Sequence, residues 1–220
     1  MSNETTISRP SPADNLNRSL ACAVIAGGAS RRLGGIDKCL LPLGDKSLLE
    51  HILGVLSAGN TTVLINTNRN LAHFQALQLP IISDTEVDHS GPIAGIIACL
   101  SWLRANCPEV QWLLTSGGDT PFLPANYVAR FISATAKFNA GVVYAEYRSR
   151  YHYLNSAWHV SSLQPLLQLK ALGKLSLKEA LSRFEHRRID FSDQVQDPFF
   201  NINTPEDYKL AKQKIVANLA

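Results

Sequence analysis

The sequence predicts a three-layer, doubly wound α/β domain around a mostly parallel sheet. Apolar runs of strand length alternate with segments of helical period from residue 21 to 146, which is βαβ order. The runs are apolar throughout rather than alternating, as strands covered on both faces require. With 220 residues, 45% apolar and 18% charged, the chain can bury one sizeable core and is short for two.

In chain order the elements are "ACAVIA" (21–26), a helix near 46–57, "TVLIN" (62–66), a helix near 70–78, "PIIS" (80–83), a helix near 93–105, "QWLLTS" (111–116), a helix near 124–137 and "GVVYAE" (141–146). Beyond 146 the pattern is mixed. "LNSAWHV" (154–160) reads as a strand, followed by helices from 161 and from 176 and by short strands near 186–191 and 199–202. Ser176 with Glu179 has capping-box spacing. Thr204-Pro205, followed by Glu206 and Asp207, starts a last helix with proline at its first position and acids in its first turn. There is no internal repeat.

Several classes are set aside by composition. No run approaches the roughly 18 apolar residues of a membrane span, and "MSNETTISRPSPADNLNRS" lacks signal-peptide order, so the expectation is a cytoplasmic protein without a membrane. Residues 1–19 have almost nothing to bury and read as a disordered tail ahead of a single domain, 20–220. A net charge of +3, with no basic run or aromatic platform, gives no reason to expect nucleic acid. Cys22, Cys39, Cys99 and Cys107 show no Cys-x-x-Cys spacing and read as reduced, buried thiols, with Cys39 expected to be partly exposed beside Lys38.

Ligands of an open α/β sheet sit outside the carboxyl ends of its strands, which selects the loops 27–38, 66–69, 84–92 and 117–121. The first, within "VIAGGASRRLGGIDKCLLPLG" (24–44), is neither a P-loop nor a dinucleotide fingerprint. Lys38 lies three residues beyond Gly35 and precedes Cys39, and Gly-x-Gly-x-x-Gly is missing from 27 to 35. Gly27 and Gly28 allow close backbone approach to an anion, and Arg31, Arg32 and Lys38 add charge suited to a polyphosphate. The other reading is a plain turn with solvated cations. Asp119 follows a buried strand and two glycines, so its carboxylate is either a rigid Mg²⁺ ligand or a turn former. With no Gly-x-Ser-x-Gly elbow and no metal-spaced histidine pair, covalent hydrolysis is disfavoured. Cations, backbone donors and a metal without a nucleophile suit phosphoryl or nucleotidyl transfer.

"AGGASRRLGGIDKCLLPLGDKSLLEH" resembles the Leu-Ala-Gly-Gly-x-Ser-x-Arg-Met-Gly-x-Asp-Lys signature of nucleotidyltransferases, most closely the molybdenum cofactor guanylyltransferases. "INTNR" (65–69), "ISDTEVDHSGPIAGI" (82–96), "GGDTPFLP" (117–124) and "FFNINTPEDY" (199–208) resemble further blocks of that family in the same order. The first block alone is shared with molybdopterin cytidylyltransferases, sugar-nucleotide transferases and cobinamide guanylyltransferases. The resemblance implies a Rossmann-like fold of the nucleotide-diphospho-sugar-transferase type and Mg²⁺-dependent transfer of GMP from GTP to molybdopterin, with pyrophosphate leaving. It implies that Ile25, Ala26, Gly27, Gly28 and Gly91 line the nucleotide, that Asn66 and Asp84 bind guanine, and that Lys38 and Arg32 meet the phosphates. Asp119 and Asn203 are implied as metal ligands, and Lys38, Asp119 and Arg32 as the residues that serve catalysis. Implied partners are GTP, molybdopterin, other molybdenum cofactor biosynthesis proteins and molybdoenzyme chaperones. Four departures stand out: Ile25 for Leu, Leu33 for Met, "GGD" (117–119) for Pro-Cys-Asp or Ala-Gly-Asp with Asp119 kept in place, and His152-Tyr153 where the family often has His-Pro on the side expected to face the acceptor. Cytidylyl transfer to the same pterin, or a non-catalytic carrier, are the competing readings.

Overall fold

The computed structural model describes residues 19–26, 37–59, 61–69, 71–84, 91–173 and 176–217. Residues 1–18 of the expected tail, and Gly27, Gly28, Arg31, Arg32 and Leu33, lie outside them.

Nine strands are described. Seven form one sheet: β1 (Leu20–Ile25), β4 (Thr62–Asn66), β5 (Ile81–Ile82), β6 (Trp112–Gly117), β7 (Val142–Tyr147), β8 (Arg150–His159) and β9 (His186–Asp190). Their order is β5-β4-β1-β6-β8-β7-β9. Only β8 runs against the rest, pairing antiparallel with β6 on one side and β7 on the other. β1 lies between β4 and β6, with Ile25 in register with Asn66 on one flank and Gly117 on the other. The remaining two strands, β2 (Pro42–Leu43) and β3 (Lys46–Ser47), make a small hairpin turned at Gly44, whose φ is +69°.

The helices are α1 (Leu48–Leu56), α2 (Leu71–Gln75), α3 (Gly91–Asn106), α4 (Tyr127–Thr135), α5 (Leu163–Ala171), α6 (Leu177–Leu181) and α7 (Pro205–Ala217). α1 and α4 cover one face, where Leu49, Ile52, Leu56, Tyr127 and Phe131 pack on Cys22, Val24, Ile65 and Leu114. α3, α5 and α6 cover the other, with Ile93, Ile96, Leu100, Leu166 and Leu181 against Ala23, Leu64, Leu113 and Trp158. Strands apolar on both sides thus acquire two cores. A third, smaller cluster joins Leu43 and Leu48 to Ile202 and Ala211, tying the C-terminal segment to the β2–β3 hairpin. Among the described residues, no helix is long and apolar enough to cross a membrane.

Three local expectations are corrected. The stretch 199–202 is not a strand: Phe199 packs into the core and Ile202 N–H donates to Asp119 C=O, a single bond to a loop rather than a ladder. Ser176 caps α6 in extended backbone but makes no side-chain cap hydrogen bond. The capping box is instead at α1, where Glu50 N–H donates to Ser47 Oγ at 3.2 Å and Ser47 N–H to Glu50 Oε2 at 2.7 Å. Ser47→Ala is therefore expected to cost about 1 kcal/mol, lowering the melting temperature by roughly 2–4 °C in a calorimetric scan. β8 also begins earlier than expected, at Arg150 rather than 154.

Candidate active site

The carboxyl ends of β4, β1 and β6 lie side by side, and two polar clusters flank the end of β1. On the β6 side the chain turns through Gly117, Gly118 and Asp119. Thr120 Oγ1 closes this turn onto Gly117 C=O at 2.9 Å, and Ser116 Oγ lies 3.1 Å from Thr120 Oγ1. Gly118 N–H donates to Ile25 C=O at 3.1 Å. A β-carbon on Gly118 would stand 3.2 Å from Cys39 Cβ and 3.5 Å from Ala26 Cα, so a larger residue would press on the turn that carries Lys38 and push it back by a few tenths of an ångström.

That turn, a 3-10 helix over Lys38–Leu40, aims Lys38 across at Asp119. Lys38 Nζ donates to Asp119 Oδ2 at 3.0 Å, to Asn203 Oδ1 at 2.7 Å and to Ile202 C=O at 3.3 Å. The side chains of Lys38 and Asp119 are only 17% and 23% exposed, which limits solvent screening of the pair. Asn203 is held by the start of α7: its N–H and that of Thr204 donate to Asp207 Oδ2 at 3.0 and 2.9 Å, and Asp207 N–H donates to Thr204 Oγ1. The Asn203 N–H first, then the Thr204 donors and the nearby Lys38 charge, hold Asp207's carboxyl below its ordinary range.

On the β4 side, Asn66 is buried and its amide donates to Ile82 C=O at 3.0 Å and to Asp84 Oδ1 at 2.6 Å. Asn68 reaches the other oxygen, Asp84 Oδ2, at 3.5 Å and accepts from Asp84 N–H at 2.7 Å. Ala26 N–H donates to Asn66 C=O, linking β1 to this cluster. α3 lies against it: a β-carbon on Gly95 would stand 2.2 Å from Asn66 Oδ1. Gly91 is the exposed first residue of α3, with φ +63°.

Of the sequence-predicted residues, the structure brings Lys38, Asp119 and Asn203 into direct contact and joins Asn66 to Asp84, with Ile25 and Ala26 between the two groups. Gly27, Gly28 and Arg32 lie outside the described residues. The donors in the first cluster are a carboxylate, an amide oxygen and a backbone carbonyl, the hard oxygens that Mg²⁺ takes. Among the described residues no three His, Cys, Asp or Glu side chains converge, so such an ion would rest on these oxygens and on water.

A model of the MobA-like NTP transferase domain matches residues 22–189. The chain belongs to this nucleotidyltransferase family. A molybdenum cofactor guanylyltransferase of Rhodopseudomonas palustris is 33% identical over 193 residues, covering 86% of this chain and 91% of the relative. Another, from Mesorhizobium japonicum, is 34% identical over 196 residues, covering 87% and 94%. The crystal structure of molybdopterin-guanine dinucleotide biosynthesis protein A from Archaeoglobus fulgidus shares the fold at a TM-score of 0.71, with 22% identity over 90% of this chain and 99% of that one.

In this MobA-like domain three site features escaped sequence reasoning. The Ile202 carbonyl carries no side-chain signal. Gly95 had one, its spacing of four from Gly91 within "GPIAG", which places both on one side of a helix. The third is an irregularity in β8: Tyr144 pairs with Ser156 but Ala145 with His152, so Tyr153, Leu154 and Asn155 bulge out of the ladder. Leu154 Cδ2 would lie 3.2 Å from a β-carbon on Gly117, which sets the bulge beside the Asp119 turn.

Cys39 is corrected from partly exposed to buried, at 4% exposure. Burial, then the Asp37 carboxylate, pushes its thiol up to about 12. Native protein treated with iodoacetamide at pH 8 is therefore expected to label Cys107 and to spare Cys39, Cys22 and Cys99 until denatured. Mass spectrometry of the peptides reads this directly, and rapid native labelling of Cys39 would contradict the closed turn.

Proposed function

We propose that the protein transfers GMP from GTP to molybdopterin, releasing pyrophosphate. The observation that carries the reading is the placement of two polar clusters on either side of the β1 terminus, in a chain of the MobA-like family. One cluster holds a cation and a carboxylate suited to a triphosphate; the other holds a rigid carboxylate that can accept from guanine N1–H and its amino group. Asp84 is the base-reading group and Asn66 its positioning residue, because both amide hydrogens of Asn66 are spent on Ile82 C=O and Asp84. Gly91 and the backbone of Ile25, Ala26, Gly27 and Gly28 line the nucleotide, with Arg32 contributing charge; for Gly27, Gly28 and Arg32 the support is the sequence pattern.

Lys38 follows negative charge from the α- to the β-phosphate as the bond breaks, acting as a compact point charge in a partly dry site. Asp119 and Asn203 would hold Mg²⁺, which when bound neutralises the triphosphate. The acceptor phosphate attacks the α-phosphorus and pyrophosphate leaves. The β8 bulge supports an acceptor side next to Gly117, with Tyr153 in place of the family's proline.

The test is incubation with GTP, Mg²⁺ and molybdopterin. Release of pyrophosphate with formation of the dinucleotide is expected, and its absence would overturn the reading. Thermal shifts with GTP and CTP separate the base: only the nucleotide bound by the folded state raises the melting temperature. Turnover with any nucleoside triphosphate removes the carrier reading.

A further inference from the structure

An ammonium group has three N–H donors, and among the described residues three oxygens stand around that of Lys38: Asp119 Oδ2, Asn203 Oδ1 and Ile202 C=O. They come from loops more than eighty residues apart in sequence, and Lys38 from a third. The same three oxygens form the donor set proposed for the metal. We infer that the Lys38 ammonium is the resident cation of this cradle, and that the cradle admits a divalent ion only together with a polyphosphate that draws Lys38 away. This rests on the nucleotidyl-transfer reading.

The physical grounds are charge and fixity. A divalent ion on Asp119 Oδ2 would sit against an ammonium already 3.0 Å from that oxygen, with both side chains less than a quarter exposed, so the two cations repel with little screening. A triphosphate removes the conflict, because it offers Lys38 a second anion while it brings the metal. The backbone that carries these oxygens does not depend on Lys38 to stay in place. Ile202 N–H is bonded to Asp119 C=O at 3.0 Å, Ile202 is fully buried against Leu43 and Leu48, and Asn203 N–H is held by Asp207. Lys38 can leave and the backbone frame of the cradle remains. Metal and nucleotide are therefore positively coupled, and Lys38 is the residue through which they are coupled.

The test is a Mn²⁺ titration of the full chain, followed by the electron paramagnetic resonance signal of free Mn²⁺. The parent, Lys38→Met and Lys38→Met/Asp119→Asn are each measured without nucleotide and with a non-hydrolysable GTP analogue, after allowance for chelation by the analogue alone. Without nucleotide, Lys38→Met is expected to bind Mn²⁺ about tenfold or more tighter than the parent, and the double variant to lose that gain. The analogue should tighten Mn²⁺ strongly in the parent and much less in Lys38→Met. Equal affinities of parent and Lys38→Met without nucleotide would overturn the exchange while leaving the nucleotide reading intact, provided the analogue still tightens Mn²⁺. If the analogue leaves the parent's Mn²⁺ affinity unchanged, the nucleotide reading falls and the exchange with it. Circular dichroism checks folding, and Lys38→Gln gives the same comparison should the methionine variant melt early.

Discussion

Asp119→Asn is expected to leave a folded protein whose turnover falls by about a hundredfold or more, a loss of the size seen when one charge-stabilising group is removed from an active site. The substitution keeps the shape and one oxygen but removes the negative charge. A turn former would tolerate it, since asparagine serves turns equally well. Here the hydrogen bonds that close the turn come from Thr120 and Ser116, while Asp119 Oδ2 reaches out to Lys38. The loss should thus appear in rate and in Mg²⁺ dependence rather than in folding. Asparagine still offers Lys38 an oxygen, so losing the charge of a pair less than a quarter exposed should cost about 1–3 kcal/mol, too little to unfold the protein. Turnover against Mg²⁺ concentration, with a circular dichroism melt on the same sample, reads both effects. A folded variant with the parent's rate and Mg²⁺ dependence would remove Asp119 from the chemistry.

The sheet was legible because continuous apolar runs such as "ACAVIA" and "QWLLTS" have few other homes than a doubly covered strand, and the carboxyl-end rule then pointed to the loops that carry Lys38, Asp84 and Asp119. The meeting of Lys38 with Asn203 was not legible from pattern alone. It depends on the small cluster of Leu43, Leu48, Ile202 and Ala211, whose members are scattered through short segments with no common period. The same scatter explains the misread "FFNI": its apolar residues suggested a strand, whereas Phe199 and Ile202 anchor a strap over the active-site turn. Family resemblance supplied Asn203 where periodicity could not. The β8 bulge was hidden for another reason, since three extra residues in one strand leave the composition of that strand unchanged.

Gly95→Ala should damage the base side of the site and leave the phosphate side alone. A β-carbon there would lie 2.2 Å from Asn66 Oδ1, 2.8 Å from its Cγ and 3.3 Å from Ile25 Cγ2. Asn66 cannot retreat freely, because it is 1% exposed and held by Ile82 C=O and Asp84. Moving it strands a buried amide, which costs about 1–3 kcal/mol, and the crowding itself costs a similar amount. Alanine's helix propensity returns only about 1 kcal/mol. The net loss, roughly 3 kcal/mol, corresponds to a melting temperature lower by about 6–12 °C. Asp84 loses its orienting donor, so affinity for GTP should drop about tenfold or more, while Mn²⁺ uptake at Asp119 stays as in the parent. Gly54→Ala is the matched control: it lies within α1 with nothing inside 4 Å of the added β-carbon, and should stabilise by about 0.5–1 kcal/mol. If Gly95→Ala behaves like Gly54→Ala, with unchanged GTP affinity, then Asn66 does not need its seat against α3 and Asp84 is not positioned by it.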